Sequence, residues 1–254
     1  MQDVRFFSAA LGREMPYRVF LPANLAAGQK LPVAYLLHGA DSGFRDWSND
    51  SNVSRYAAHG LILVMPEGDF SYYMNAAESP KDKYEEYITK DLIADVESRF
   101  PAVREREGRA VIGISMGGFA AVDYAFIHPD LYAFVGALSP SIDMPRRGFN
   151  VKRFGQWWRM RTIFGPFGSK ERLARDPLEL VRTADPSKTS YIYLTVGDQE
   201  PLLEPNRRFE ALLKQRGFEH EFHTKPGGHD WTEWDAQIPG CFESLLKHLP
   251  ATAN

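Results

Sequence analysis

The sequence predicts an α/β fold, a mostly parallel central sheet flanked by helices, on two observations. Several short runs are apolar at almost every position rather than at alternate ones, as strands buried on both faces are. Segments with a 3.6-residue apolar stripe lie between those runs, and strands alternating with helices build sheets through right-handed crossovers.

At the N-terminal end, "VRFFSAAL" and "YRVFLP" read as two strands of a hairpin around "GREMP". "LPVAYLLHG" and "LILVMPEG" are the first two doubly buried runs. "YEEYITKDLIADVESRF" then sets Tyr84, Tyr87, Ile88, Leu92, Val96 and Phe100 along one helical stripe. "RAVIGIS" is the next strand, "GGFAAVDYAFIH" a compact helix of small residues, and "YAFVGALSP" another strand. "TSYIYLTVGD" and "HEFHTKPGG" complete the set, separated by the helix "EPNRRFEALLKQRG", which Gly217 stops. "WDAQIPGCFESLLKHLP" closes the chain as a helix interrupted or offset by Pro239-Gly240. There is no internal repeat.

Residues 141–185 break this rhythm, because they separate two strands by far more than one crossover helix requires. Their tryptophans and phenylalanines argue for order, so the segment is expected to fold as a lid-like insertion over the end of the sheet where ligands bind in such folds. It carries more basic than acidic residues, among them Arg146, Arg147, Lys152, Arg153, Arg159, Arg161, Arg172, Arg175 and Arg182. These would either attract an anionic or phenolic-acid ester or form a solvated cover of ion pairs, and the second is the preferred reading. "QWWRM" suits a hydrophobic lid or acyl pocket, with a homodimer contact as the competing role.

Composition sets outer bounds. With 254 residues, 44% of them hydrophobic, the chain supports one sizeable core, a single domain over 1–254. A net charge of −3 gives no pull toward nucleic acid, and no apolar run reaches the roughly 18–20 residues of a spanning helix. The first twenty residues lack the features of a leader, so the cytoplasm is expected, or secretion if a leader has been removed. Cys241 is the only cysteine, which excludes an intrachain disulfide and a thiolate zinc cage. No metal or organic cofactor is implied.

The chemistry starts at "GISMG", residues 113–117, between an apolar strand and a helix of small residues. Glycines two positions either side of Ser115 permit a sharp turn that presents its hydroxyl, and the helix beginning at Met116 offers amide N–H groups to an oxyanion. An alcohol needs a base. Of the seven histidines, only His229 lies in a glycine-rich loop after the last strand, "KPGGHDW", where the order nucleophile, acid, histidine places it. His38, at a strand end, is expected to orient its loop rather than take the proton, leaving the Ala40 N–H as second oxyanion donor. The acid follows "SYIYLTV", where spacing favours Glu200 and leaves Asp198 as the alternative. Asp230 is expected to stabilise its loop. Trp47 is read as structural, and Trp231, Trp157 and Trp158 are the candidates for contact with substrate.

With these motifs in place, the chain resembles the esterase D-like "putative esterase" family of α/β-hydrolases, which includes S-formylglutathione hydrolases, feruloyl and acetylxylan esterases and mycolyltransferases. "LLHGADSGFRDW", "GISMGGFAAVDYAFIHPDLY" and "PGGHDWTEW" carry the resemblance. It implies Ser115 as nucleophile, His229 as base, and Ala40 and Met116 as oxyanion donors. The family's acid motif maps onto Gly197 to Asn206 with Glu200 standing where the family has aspartate. "GDQEPLLEPNR" is also similar to siderophore-type trilactone esterases. The function expected is a serine carboxylesterase acting on a small-molecule ester through an acyl-enzyme. The alternatives are an acyltransferase or lactone esterase with the same triad, and a non-catalytic binding protein of the same fold.

Overall fold

The computed structural model describes residues 1–149 and 154–249. Eight strands form one sheet: β1 (Gln2–Ser8), β2 (Arg13–Phe20), β3 (Val33–Leu37), β4 (Ile62–Pro66), β5 (Arg109–Ile114), β6 (Phe134–Leu138), β7 (Tyr191–Gly197) and β8 (His220–Lys225). Their spatial order is β1-β2-β4-β3-β5-β6-β7-β8. β2 pairs antiparallel with both β1 and β4, and every pairing from β4 to β8 is parallel.

The doubly apolar runs have the predicted cause. Every residue of β3, β4, β5 and β6 is buried, because helices cover both faces. One face packs Tyr35, Val64, Val111 and Val135 against Leu92, Phe119 and Phe209; the other packs Ala34, Ile112 and Phe134 against Trp47, Phe242 and Leu245. Alternate residues of β5 thus enter opposite cores. The edge strand β8 has no fully buried residue, and His223 and Thr224 are exposed.

Four helices matter for the site: α1 (Met116–Ile127), α2 (Phe154–Phe164), α3 (Leu203–Arg216) and α4 (Trp231–His248). Two expected boundaries differ. The first turn lies at residues 9–12, and Arg13–Pro16 belongs to β2. Met15, Tyr17 and Val19 are buried at strand period, and that burial outweighs a single proline in the segment. Pro16 faces Arg5 in the register, and its carbonyl accepts the Glu67 N–H at 3.0 Å.

Likewise α4 starts three residues earlier than expected and runs through Pro239 without a break. The Asp230 side chain caps it by accepting the Glu233 N–H at 3.1 Å. Its buried stripe of Trp234, Ile238, Cys241, Phe242 and Leu245 carries the helix past the one hydrogen bond that proline removes. Residues 84–99 are helical as expected, except that Tyr87–Leu92 widens into a π-helical stretch.

The carboxyl ends of β3 to β8 bring together Gly39, Glu67, Ser115, Ser139, Glu200 and the loop ahead of α4. The long β6–β7 connection begins at this same end. It holds α2 and the short helices Lys170–Leu173 and Pro177–Thr183.

Candidate active site

Ser115 stands between β5 and α1 with φ 52° and ψ −107°, a left-handed conformation that an L side chain adopts only under constraint. The constraint is close backbone approach. A Cβ on Gly113 would lie 2.1 Å from the Gly117 carbonyl, and one on Gly117 would lie 2.3 Å from the Leu37 carbonyl oxygen. Only glycine fits at either position, which is why the serine is flanked as it is. The first ladder bond of α1 runs from Phe119 N–H to the Ser115 carbonyl at 3.0 Å, so the Met116 N–H is outside the helical ladder.

The structure brings His229 and Glu200 to this hydroxyl. Ser115 Oγ lies 2.8 Å from His229 Nε2, and His229 Nδ1 lies 2.6 Å from Glu200 Oε2. The Glu200 side chain is fully buried while the imidazole is one-third exposed, so the pair opens to solvent on the side of the histidine. Glu200 Oε1 accepts two further bonds, from Ser139 Oγ at 2.5 Å and from Gly197 N–H at 2.9 Å. Trp234 Nε1 donates to Ser139 Oγ at 3.1 Å and packs edge-on to the imidazole with centroids 5.0 Å apart. Asp198, the other acid candidate, turns away. It is exposed, and its carboxylate accepts the Gly227 N–H at 3.2 Å.

Behind Ala40 lies a network that sequence reasoning found only in part. His38 is fully buried, and its Nδ1–H donates to the Gly39 carbonyl at 2.7 Å. Its Nε2 lies 3.1 Å from Glu67 Oε1 and 2.9 Å from the Gly68 nitrogen, whose N–H also reaches that carboxylate oxygen at 3.1 Å. Burial would raise the Glu67 carboxyl, but His38 and the amides of Asp69 and Phe44 outweigh it and hold the group at about 2. Tyr73 packs across the His38 ring and donates its hydroxyl to the His38 carbonyl at 3.2 Å. Trp234, one of the aromatic residues the sequence offers either to line a pocket or to brace a loop, braces one, while Glu67, Tyr73 and Ser139 are site residues that sequence reasoning did not find. "PEG" and "LSP" at strand ends were the only local signals.

The β6–β7 connection is held by buried polar contacts. Arg172 is 1% exposed and donates to the carbonyls of Pro145, Gly165, Met144 and Arg147. Arg175 bridges Asp123 of α1 at 2.8 Å and Glu85 at 2.5 Å. Arg146, Arg147, Arg161 and Arg182 also meet carboxylates, while Lys152 and Arg153 lie outside the described residues. Much of the basic excess is thus tied up in ion pairs, some with acids from outside the segment, Glu78, Glu85 and Asp123.

The three candidate tryptophans separate. Trp157 lines a cavity of about 550 Å³ with Met144, Arg147, Phe149, Met160 and Pro201, the residue after Glu200. Trp158 is 52% exposed and borders a smaller cavity of about 250 Å³ beside Phe70 and Tyr84. Trp231 is half-buried, edge-on to the buried Trp47 at 5.8 Å and to Trp234 at 5.4 Å. Among the described residues no cluster of three His, Cys, Asp or Glu side chains is arranged to hold a metal, and no helix is long and apolar enough to cross a membrane.

Comparison with known proteins bears on this site. The family model described as "Putative esterase" matches residues 8–245. An acetyl esterase of Caldicellulosiruptor saccharolyticus is 24% identical over 97% of this chain and 98% of that protein. Among solved structures, the fluorophosphonate-binding serine hydrolase FphF of Staphylococcus aureus superposes with a TM-score of 0.84 at 24% identity, covering 96% of this chain and 97% of the other. The S-formylglutathione hydrolase FrmB of Staphylococcus aureus gives 0.83 at 24% identity, over 96% and 98%. These superpositions share the α/β-hydrolase fold with this chain.

Proposed function

Because this chain belongs to the family described as "Putative esterase", we propose that it is a serine carboxylesterase working through an acyl-enzyme. The observation that carries the reading is the contact series from Ser115 Oγ to His229 at 2.8 Å and on to Glu200 at 2.6 Å. As Ser115 Oγ attacks the ester carbonyl, its proton passes to His229 Nε2, and Glu200 offsets the imidazolium charge and holds the tautomer. The Met116 and Ala40 N–H groups receive the oxyanion. Two features support Ala40 in that role. A Cβ on Gly39 would lie 3.7 Å from Ser115 Cβ, which places this backbone beside the nucleophile. The Gly39 carbonyl is held by His38, and since C=O and N–H of a trans peptide point oppositely, the Ala40 N–H faces away from that ring.

Collapse of the tetrahedral adduct breaks the ester C–O bond, and the imidazolium protonates the departing alkoxide. Water then gives a proton to His229 and attacks the acyl-enzyme. The carboxylic acid leaves, and Ser115 regains its hydrogen. The β6–β7 connection serves in this reading as a cover that shapes the substrate space, with the cavity beside Trp157 and Pro201 receiving one side of the ester. A panel of p-nitrophenyl acyl, feruloyl and acetyl-sugar esters tests the proposal. Hydrolysis that Ser115→Ala abolishes is expected, and hydrolysis that survives in Ser115→Ala refutes it. Added alcohols, with the products analysed, separate hydrolysis from acyl transfer.

A further inference from the structure

Beneath the base lies a carboxyl that the mechanism above does not use. Asp230 and Glu233 stand at the first turn of α4 in the D-x-x-E spacing of a capping box, where the glutamate ordinarily turns back to the cap amide. Glu233 does not. It is 4% exposed, and neither carboxyl oxygen has a hydrogen-bond partner among the described residues. It is packed under the base loop instead: a Cβ on Gly227 would lie 2.4 Å from Glu233 Cγ and 3.0 Å from its Cβ.

Gly227 is in turn pressed against the acid's loop from the other side. Its carbonyl accepts Gln199 N–H at 3.1 Å, its N–H donates to Asp198 at 3.2 Å, and a Cβ on Gly197 would lie 2.5 Å from its oxygen. The loop that delivers His229 is therefore clamped between residues 197–200 above and Glu233 below. We propose that Glu233 is a positioning residue for the base, its carboxyl setting the height of the Gly227–His229 loop against Glu200. The inference rests on the reading of His229 as the base.

The surroundings say in which form Glu233 does this. Facing it are Asp198 and Glu200 from the β7–α3 loop, Asp230 from its own cap, and one cation, Lys225 of β8, whose ammonium is turned to the Ala236 carbonyl at 2.6 Å. Burial, reinforced by Glu200 and Asp230, pushes the Glu233 carboxyl up to about 8. Near neutrality it is an uncharged acid. Above that value it becomes a fourth negative charge beside Asp198, Glu200 and Asp230, and repulsion drives it from under Gly227. A general base that works unprotonated gives a rate that only rises with pH, so an alkaline fall needs a second group. The unfolded chain ionises this side chain near 4.5, so the contribution of neutral Glu233 to stability is complete below that pH and is lost as pH rises through about 8.

The test compares wild type, Glu233→Gln and Glu233→Ala in kcat and KM from pH 6 to 9.5. Glu233→Ala is expected to lower kcat about 10- to 100-fold, the scale of a misplaced catalytic group, with little change in KM. Glu233→Gln, neutral at every pH and of the same shape, is expected to restore most of that loss and to abolish the alkaline fall of the wild type. A Glu233→Gln profile that falls as the wild type does, or an undiminished kcat in Glu233→Ala, overturns the proposal. Amide shifts of Gly227 and Gly228 supply a readout that needs no substrate. Titration near pH 8 in wild type and its loss in Glu233→Gln support the positioning role even if no ester is hydrolysed, and shifts that stay flat in wild type overturn it. Absence of Ser115-dependent hydrolysis, by contrast, removes the esterase reading.

Discussion

Replacing Glu200 by glutamine isolates the contribution of the third group, and the hydrogen bonds around it decide the outcome. Glu200 Oε1 accepts from both Ser139 Oγ–H and Gly197 N–H, so in Glu200→Gln the carbonyl oxygen must occupy that corner. The amide NH₂ is thereby turned onto His229 Nδ1, where the carboxylate had stood at 2.6 Å. Two N–H donors cannot face one another, so the imidazole shifts its proton to Nε2 and presents a donor to Ser115 Oγ. The base is lost with the geometry intact. A carboxylate-to-amide change in a triad costs about 10⁴ in turnover, which is about 5.4 kcal/mol at 1.36 kcal/mol per tenfold. The assay is kcat and KM for p-nitrophenyl acetate, with thermal melting to show that the fold persists. Asp198→Asn is the control: its amide oxygen still accepts the Gly227 N–H, and activity within about threefold of wild type is expected. Glu200→Gln within tenfold of wild type, or Asp198→Asn the more damaging of the two, would refute the assignment.

Three further outcomes follow from other parts of the site. His38→Ala frees the Gly39 carbonyl and should reduce kcat about 10²–10³-fold, the cost of losing one oxyanion donor, with KM little affected in steady-state assays. Ser115→Gly should be inactive yet melt at or above the wild-type temperature, since relief of a left-handed φ worth about 1–3 kcal/mol exceeds the entropic cost of glycine; a clear fall in melting temperature would contradict it. Arg175→Ala takes the ion-pair partner from buried Asp123 and leaves Glu85 with His128 alone, and urea unfolding at pH 8 should show a loss of about 3–5 kcal/mol. That loss should shrink in acid, because burial already raises Asp123 to about 6, and below that value it is neutral without the guanidinium.

Much of this architecture was written locally. Strands buried on both faces must be apolar throughout, so the runs ending at Leu37, Pro66, Ile114 and Leu138 announced a covered sheet. The glycines around Ser115 and before His229 marked two side chains as candidates, and the fold sets them 2.8 Å apart. Other features depended on contacts that no local pattern encodes. Glu200 and Asp198 are two positions apart and chemically alike. Only the turn between them, with Ser139 61 positions away, directs one inward and the other to solvent. Trp234 reaches Ser139 across 95 positions, and Glu67 becomes a brace only because β4 lies beside β3. Pro16 and Pro239 misled for the opposite reason, since local propensity yielded to buried stripes on β2 and α4. The basic excess of the β6–β7 connection likewise drew part of its counter-charge from Glu78, Glu85 and Asp123, all outside that segment.

The most direct test of the esterase reading is intact-mass analysis of the folded protein after brief exposure to a fluorophosphonate, with peptide mapping of any adduct. A single adduct on Ser115 is predicted in the wild type. None should form in Ser115→Ala, and formation should be far slower in His229→Ala. A wild-type protein that stays unmodified, or an adduct that forms as fast without His229, would contradict a hydroxyl activated by that imidazole.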